Sequence, residues 1–113
     1  MKTSLLRYRP SAYLSAILAE LLEPVEAQTS FGGRSVSYEL FGVAWISPGP
    51  VKRRERSEAG AEPRVVETLS AEARADERLS VGRVLRFRGG DWRIAAVDVG
   101  RPGRAVLSLE LSR

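Results

Sequence analysis

The side chains of this 113-residue chain that could take part in chemistry are carboxylates, lysines, arginines, tyrosines and serines, because it contains neither cysteine nor histidine. That composition excludes the Ser-His and Cys-His nucleophile pairs and the usual zinc and iron sites. Asp76, Asp91 and Asp98 all lie in or beside predicted turns, where an aspartate usually caps its own backbone. Since no acid–base constellation is visible, we expect no enzymatic activity, no metal and no cofactor.

The basic side chains are the second group of residues that could take part in chemistry. Eighteen lysines and arginines oppose 14 acidic residues, which gives a net charge of +4, and almost all the cations are arginines. The planar guanidinium suits bidentate contact with phosphate or carboxylate. The basic residues form a cluster and a stripe: Lys52, Arg53, Arg54 and Arg56, then Arg83, Arg86, Arg88 and Arg93. Neither group is interleaved with exposed aromatic residues, so both predict phosphate contact rather than base recognition.

Length and composition predict one domain spanning residues 1–113. The chain is 43% hydrophobic and 28% charged, as in average soluble globular proteins. No apolar run reaches the roughly 18 residues of a membrane-spanning helix, so no membrane partner is expected. Residues 1–10 form a basic N-terminal arm that ends at Pro10, without a signal-peptide cleavage site. We expect a protein that is made and kept in the cytoplasm.

A β-hairpin is predicted over residues 84–97. Two runs rich in β-branched and aromatic residues flank Gly89-Gly90, and glycine accepts the positive φ that a tight hairpin turn requires. Alternation along both runs gives one basic face and one apolar face, the latter formed by Leu85, Phe87, Trp92 and Ile94. Because an isolated hairpin is marginally stable in water, this one must belong to a larger sheet.

Further strands are predicted on either side of this hairpin. Residues 35–46 alternate in polarity, with a slip of phase around Gly42 that indicates a β-bulge. The preceding Gly32-Gly33 pair indicates a hairpin turn over residues 29–34. Residues 105–111 form a closing strand with its leucines on one face.

Two segments have alternative interpretations. Residues 11–23 favour a helix capped by Ser11, or a shorter helical start followed by a strand over 17–27, with Pro24 suited to a sheet edge. Residues 64–74 alternate like a strand, whereas the composition of 70–79 is typical of a capped helix. Residues 48–63 contain three prolines, two glycines and the basic cluster, and predict a long charged loop.

These patterns together predict an all-β fold: a small antiparallel β-barrel or sandwich of five to six strands, with one long charged loop and a possible short N-terminal helix. Each tryptophan lies on the apolar face of its predicted strand, which favours a place in the core over a base-stacking role. The expected core anchors are Trp45, Phe87, Trp92 and Ile94.

The layout resembles the head-to-tail joining family of tailed phages, the head-closure or stopper proteins. Residues 21–29 (LLEPVEAQT), followed by Gly32-Gly33, resemble the family's first strand and turn. Residues 43–49 (VAWISPG) are similar to its tryptophan strand, with the tryptophan after the alanine rather than before it. Residues 79–97 resemble its closing hairpin, and residues 106–111 its final strand. Alanine- and arginine-rich versions also occur in phage-like gene transfer agents.

The resemblance covers residues 18–112 and implies strands over 17–27 and 64–74, in a barrel that assembles as a ring in the neck of a particle built in the bacterial cytoplasm. The implied partners are copies of the chain, a portal-bound adaptor ring, tail terminator or tail tube proteins, and double-stranded DNA passing through the channel. It also implies that the 48–63 loop lies towards the channel, so that Lys52, Arg53, Arg54 and Arg56 would face DNA. The alternative is a free-standing nucleic-acid-binding barrel of OB or SH3 type.

Overall fold

A computed structural model describes residues 16–57, 60 and 62–112 of the chain. These residues form seven strands and no helix. The strands are β1 (Ile17–Gln28), β2 (Arg34–Pro48), β3 (Lys52–Arg56), β4 (Arg64–Arg74), β5 (Val84–Phe87), β6 (Gly90–Asp98) and β7 (Arg104–Ser112). The all-β prediction is therefore confirmed, and residues 17–27 and 64–74 are strands. The predicted N-terminal arm and residues 11–15 of the predicted helix lie outside the described residues, and a helix that continues to residue 23 is wrong because β1 begins at Ile17.

One antiparallel sheet closes on itself to make the barrel. The strand order is β2-β1-β5-β6-β7-β4-β3, and a further pairing of β2 with β4 joins Ile46 to Ala73 and Pro48 to Ala71. This pairing links β2, β1, β5, β6, β7 and β4 into a ring of six strands, while β3 pairs only with β4. Closure removes the free sheet edges along the body of the barrel.

The core fills the barrel with side chains from alternate positions of the strands. Leu21, Ile46, Leu85, Ile94 and Leu107 are all 0–1% exposed. Phe87 and Trp92 stack with their ring centroids 5.8 Å apart. The apolar face predicted for the 84–97 hairpin is therefore the face that the barrel buries.

The hairpin turn between β5 and β6 lies one residue earlier than the Gly-Gly pair indicates. Phe87 pairs with Gly90, so the two turn residues are Arg88 and Gly89. Both have positive φ, +52° and +76°, which matches the right-handed twist of the flanking strands. Gly89 accepts this conformation without strain, and Arg88 is the one non-glycine residue with positive φ in the described part of the chain.

Strands β1 and β2 continue beyond the barrel as a two-stranded hairpin, here called arm 1 (residues 23–39). Strand β5 covers the other edge of β1 only at Glu20–Leu22, so the rest of β1 pairs with β2 alone. The predicted bulge is present: Leu21 pairs with Gly42 and Leu22 with Leu40, which leaves Phe41 as the extra residue. Arm 1 ends in the predicted turn, where the Thr29 amide donates to the Gly33 carbonyl at 2.8 Å.

A second hairpin, arm 2 (residues 52–68), corrects the expectation of a continuous loop over residues 48–63. The basic cluster forms strand β3, which pairs from Lys52 opposite Thr68 to Arg56 opposite Arg64. Charged side chains suit this strand because solvent reaches it, with Arg53 and Arg54 both exposed. Strand β3 also explains why the sheet has seven strands rather than five or six.

The two arms extend from opposite ends of the barrel. Strands β2 and β3 both run antiparallel to β4, along the edge of β4 that β7 does not occupy. The chain therefore runs in one direction from the tip of arm 1, through the barrel wall, to the tip of arm 2. The molecule is accordingly elongated, with extents of 67 × 31 × 26 Å.

Candidate functional site

The segment that joins β4 to β5, residues 75–83, fixes the base of arm 1 to the barrel. Arg78 donates from Nη2 to Asp76 Oδ2 at 2.7 Å and from the same nitrogen to the Val43 carbonyl at 3.1 Å. The hydrogen bonds from the Arg78 side chain and its backbone N–H hold the pKa of Asp76 below its usual value. Arg78 thus connects this segment with the part of β2 that belongs to the barrel, at Val43.

Arg83 makes a second connection to the same arm. Its Nε lies 3.2 Å from a carboxylate oxygen of Glu23, and its guanidinium carbon lies 4.1 Å from the centroid of the Phe41 ring. Its Nη1 also donates to the Arg78 carbonyl at 2.7 Å. A cation over an aromatic face and beside a carboxylate stabilises the bulged region of β2. Glu23 and Phe41 both lie where arm 1 leaves the barrel.

The basic cluster on β3 is divided between two faces. Alternation places Lys52, Arg54 and Arg56 on one face and Arg53 on the other. Arg56 donates to Glu110 at 3.1 Å, while Arg53 approaches Glu67 at 3.9 Å. Lys52 and Arg54 have no ion pair within the described residues, so they are the two cations of this cluster that remain available to an external anion.

The arginine stripe predicted near the 84–97 hairpin is largely neutralised by acidic side chains. Arg86 forms a bidentate pair with Asp91, at 2.7 and 3.1 Å, and Arg93 donates to Glu110 at 3.0 Å. The hydrogen bonds from Arg86 lower the pKa of Asp91, and those from Arg56, with a further contribution from Arg93, lower the pKa of Glu110. Sequence reasoning found the arginines but could not show that carboxylates from other positions already pair with them.

Exposed apolar side chains follow the outward face of β2 along the barrel and arm 1, joined by Leu18 of β1. Leu18 pairs with Trp45, and the neighbouring outward positions of β2 continue this face past the bulge. Its members are each 37–64% exposed: Leu18, Val36, Tyr38, Leu40, Val43 and Trp45. We call this surface the outer stripe. Several large apolar side chains exposed along one strand are typical of a surface that contacts another molecule.

Trp45 belongs to the outer stripe, and the prediction that it anchors the core is wrong. It is 63% exposed, because the inward positions of this part of β2 are taken by Ala44 and Ile46. The small Ala44 pairs with the fully buried Ala19, so the core accepts small side chains here and leaves the large ones outside. The other three expected anchors are placed inside, with Phe87 5%, Trp92 7% and Ile94 0% exposed.

The end of the barrel at the base of arm 2 holds an open pocket. Its apolar lining consists of Val51, Leu69, Phe87, Trp92 and Leu111. Arg86, Arg88 and Asp91 also line it. Since Val51 directly precedes β3 and Leu69 directly follows the arm 2 segment of β4, we call it the arm 2 pocket. The pocket therefore combines an apolar lining with two basic side chains and one acidic side chain.

Within residues 16–57, 60 and 62–112, no three acidic side chains are arranged to hold a metal ion. The described part of the chain also contains no helix long and apolar enough to cross a membrane.

The comparisons with known proteins give a structural likeness. No protein-family model matches the chain, and no curated protein matches its sequence. A solved chain from the virion of a native gene transfer agent particle is similar, with a TM-score of 0.61 and 20% sequence identity. The likeness covers 83% of this chain and 91% of that chain. At this identity it establishes a shared fold.

Proposed function

We propose that this protein is a structural connector of a phage-like particle, located in the neck. In this proposal it forms a ring between the portal-bound adaptor and the tail, closes the DNA-filled head and provides the surface on which the tail docks. The observation that supports it most is the fold shared with a chain of a gene transfer agent virion, over nearly all of that chain. The sequence resemblance to head-closure proteins supports the same role independently.

The shape of the molecule is suited to such an assembly. Two hairpin arms extend in opposite directions from a rigid barrel, so each copy offers separate contact regions to different neighbours. The outer stripe exposes large apolar side chains, including Trp45 and Tyr38, that a stable monomer does not need. Neighbouring copies, the adaptor ring and the tail terminator or tail tube proteins are the partners proposed to cover these surfaces.

The basic face of β3 is the region proposed to approach DNA. Lys52 and Arg54 lie on one face of an exposed strand and have no partner among the described residues, whereas Arg56 is held by Glu110. Phosphates passing through a channel would attract these two cations through a salt-dependent, sequence-independent interaction. Such an interaction retains DNA without recognising its sequence, as expected of a closure device.

Electron microscopy of particles assembled without this chain tests the proposal. We expect DNA-empty or leaking heads beside complete, free tails, and restoration of joined particles when the chain is supplied from a plasmid. A Phe87→Asp variant, which places a charge in the core, serves as a non-folding control that should not restore joining. Intact tailed particles in the absence of the chain would contradict the connector role.

A nucleic-acid-binding barrel is the second candidate, and one observation favours it. Trp45 lies in a groove that Arg74 also lines, together with Arg104, which pairs with Glu72 at 3.3 Å, so an exposed aromatic ring lies near one arginine without an ion pair among the described residues. This alternative predicts salt-sensitive binding of short DNA or RNA by the isolated chain, with quenching of Trp45 fluorescence. The connector proposal predicts only weak binding by the isolated chain, so a salt titration distinguishes the two.

A further inference from the structure

The tip of arm 1 presents one aromatic side chain to solvent. Phe31 is 97% exposed, in the turn that joins β1 to β2. The turn is held by its own hydrogen bonds: the Gly33 amide donates to Thr29 Oγ1 at 3.0 Å, and the Gly32 amide donates to the Thr29 carbonyl at 3.1 Å. Phe31 is therefore carried at the end of an ordered hairpin, and nothing within the described part of the chain covers it.

The arm 2 pocket lies at the other end of the molecule and is suited to receive such a ring. Its walls include Val51 and Leu111, together with Leu69, Phe87 and Trp92, which are largely buried. An aromatic ring that enters would bury apolar area against these side chains. Because arm 1 extends away from this pocket, Phe31 cannot reach the pocket of its own chain.

The charges of the two regions are also complementary. In arm 1, Glu26 pairs with Arg34 and Glu23 pairs with Arg83 of the barrel, which leaves Glu39 without an ion pair among the described residues. Strand β3, which begins beside the pocket, carries Lys52 and Arg54 without ion pairs among the described residues, while Glu110 and Glu67 neutralise Arg56 and Arg53. Arg88 lines the pocket and has no ion pair within the described residues. Approach of arm 1 to this end of another copy would therefore be electrostatically favourable.

We propose that Phe31 of one copy inserts into the arm 2 pocket of the next copy, in a head-to-tail contact. The contact joins two different surfaces of the same chain, so repetition gives a closed ring or an open filament rather than a two-fold dimer. This inference deepens the proposed connector function and depends on it for its biological meaning. It identifies a second copy as the occupant of the pocket and Phe31 as the side chain that enters.

Cysteine cross-linking of the full chain tests the contact, because the natural sequence contains no cysteine that would react. Ser30 is next to Phe31, and Ser112 lines the arm 2 pocket. In a concentrated mixture of Ser30→Cys and Ser112→Cys chains under mild oxidation, we expect mixed disulfide dimers in excess over either homodimer. A double variant with both cysteines should give a ladder of higher oligomers.

Matched controls decide the interpretation. Ser108→Cys lies on the same strand as Ser112 but is exposed away from the pocket, and it should give no excess of mixed dimers. Adding Phe31→Ser to the Ser30→Cys chain should lower the yield by about tenfold or more, since it removes the buried ring. An equal yield with Ser108→Cys, or a yield unchanged by Phe31→Ser, would overturn the contact.

The cross-linking experiment and the electron microscopy of particles assembled without the chain test the two proposals separately. If mixed dimers do not form while particles without the chain lack joined tails, the head-to-tail contact is wrong and the connector role stands. If mixed dimers form while particles without the chain are intact, the self-association stands and the connector role is wrong.

Discussion

The guanidinium carbon of Arg83 lies 4.1 Å from the centroid of the Phe41 ring, at the bulge where arm 1 leaves the barrel. Phe41 is the extra residue of β2, and Arg83 immediately precedes β5. The same guanidinium pairs with Glu23 at 3.2 Å. Arg83, the residue before β5, is thus joined to both strands of arm 1 at the point where they leave the barrel. Arm 1 is therefore an ordered extension of the barrel.

Replacement of Arg83 by alanine should loosen arm 1 without unfolding the barrel. The variant loses a cation–π contact, a partly buried ion pair and the hydrogen bond to the Arg78 carbonyl, which together contribute about 1 kcal/mol. We expect amide hydrogen exchange in arm 1 to accelerate by about fivefold, with little change in β6 and β7. Arg34→Ala, which removes the exposed pair with Glu26, is the control and should leave these rates nearly unchanged. Uniform acceleration across the sheet would contradict a local role.

Gly42→Ala should destabilise the protein by about 1–3 kcal/mol. Gly42 has a φ of +155°, and an added Cβ would lie 2.5 Å from Nη1 of Arg78. That guanidinium cannot move away easily, because Asp76 and the Val43 carbonyl hold it. Gly100→Ala is the matched control, since a Cβ there meets no atom within 4 Å. Chemical denaturation of both variants measures the difference, and equal stabilities would show that the bulge tolerates a side chain.

Stability should fall on acidification. Arg78 lowers the pKa of Asp76 in the folded state, as Arg86 and Arg56 do for Asp91 and Glu110. A carboxyl whose folded pKa lies below its unfolded value stabilises the fold above the unfolded pKa, and this contribution is lost as the pH falls through the folded value. We expect the melting temperature to begin to fall when the pH drops below about 4, and to continue to fall as the pH is lowered further.

The variant Asp76→Asn isolates one of these carboxyls. It should melt at a lower temperature than the natural protein near neutral pH, and its melting temperature should depend less on pH in the acidic range. Circular dichroism melts across the acidic range measure both effects. An unchanged pH dependence would show that Asp76 gains no favourable interaction on folding.

Substitution of the two tryptophans should change the folding free energy by very different amounts. Trp92→Ala removes a buried ring stacked on Phe87 and should cost about 3–5 kcal/mol of folding free energy. Trp45→Ala removes an exposed ring and should change stability by no more than about 0.5 kcal/mol. Urea denaturation followed by circular dichroism compares them. A large loss at Trp45 would mean that the outer stripe is already covered in the isolated chain.

Removal of the β3 cations should weaken DNA retention if this strand faces the channel. Replacement of Lys52, Arg53, Arg54 and Arg56 by serine should lower the amount of nuclease-protected DNA per particle, and Lys52→Ser with Arg54→Ser should account for most of the effect. The double variant Arg34→Ser with Arg101→Ser removes two cations elsewhere, as many as Lys52→Ser with Arg54→Ser, and serves as the control for that pair. Normal retention in the fourfold variant would reject the contact with DNA.

Part of this fold could be predicted from local patterns alone. The alternation in residues 84–97 identifies Leu85, Phe87, Trp92 and Ile94 as one face, because successive side chains of a strand point to opposite sides. The phase slip at Gly42 marks the bulge for the same reason. For residues 64–74, however, local propensity favoured both helix and strand. The structure shows a strand here because β4 pairs with β7, β3 and β2. The hydrogen bonds of these pairings come from residues far away in the sequence, which local propensity does not take into account.

By itself, the sequence determined which residues alternate, where the turns form and which chemistry is excluded, because each of these depends on neighbours along the chain or on composition. The tertiary structure alone decided which apolar face is buried, since Trp45 lies outside only because Ala44 and Ile46 face the closed barrel. It also decided which cations remain available, because the partners of Arg56, Arg86 and Arg93 come from pairings across strands. Where both faces of a strand carry apolar side chains, as in residues 43–46, the pattern does not specify which face meets water, and the other strands decide it.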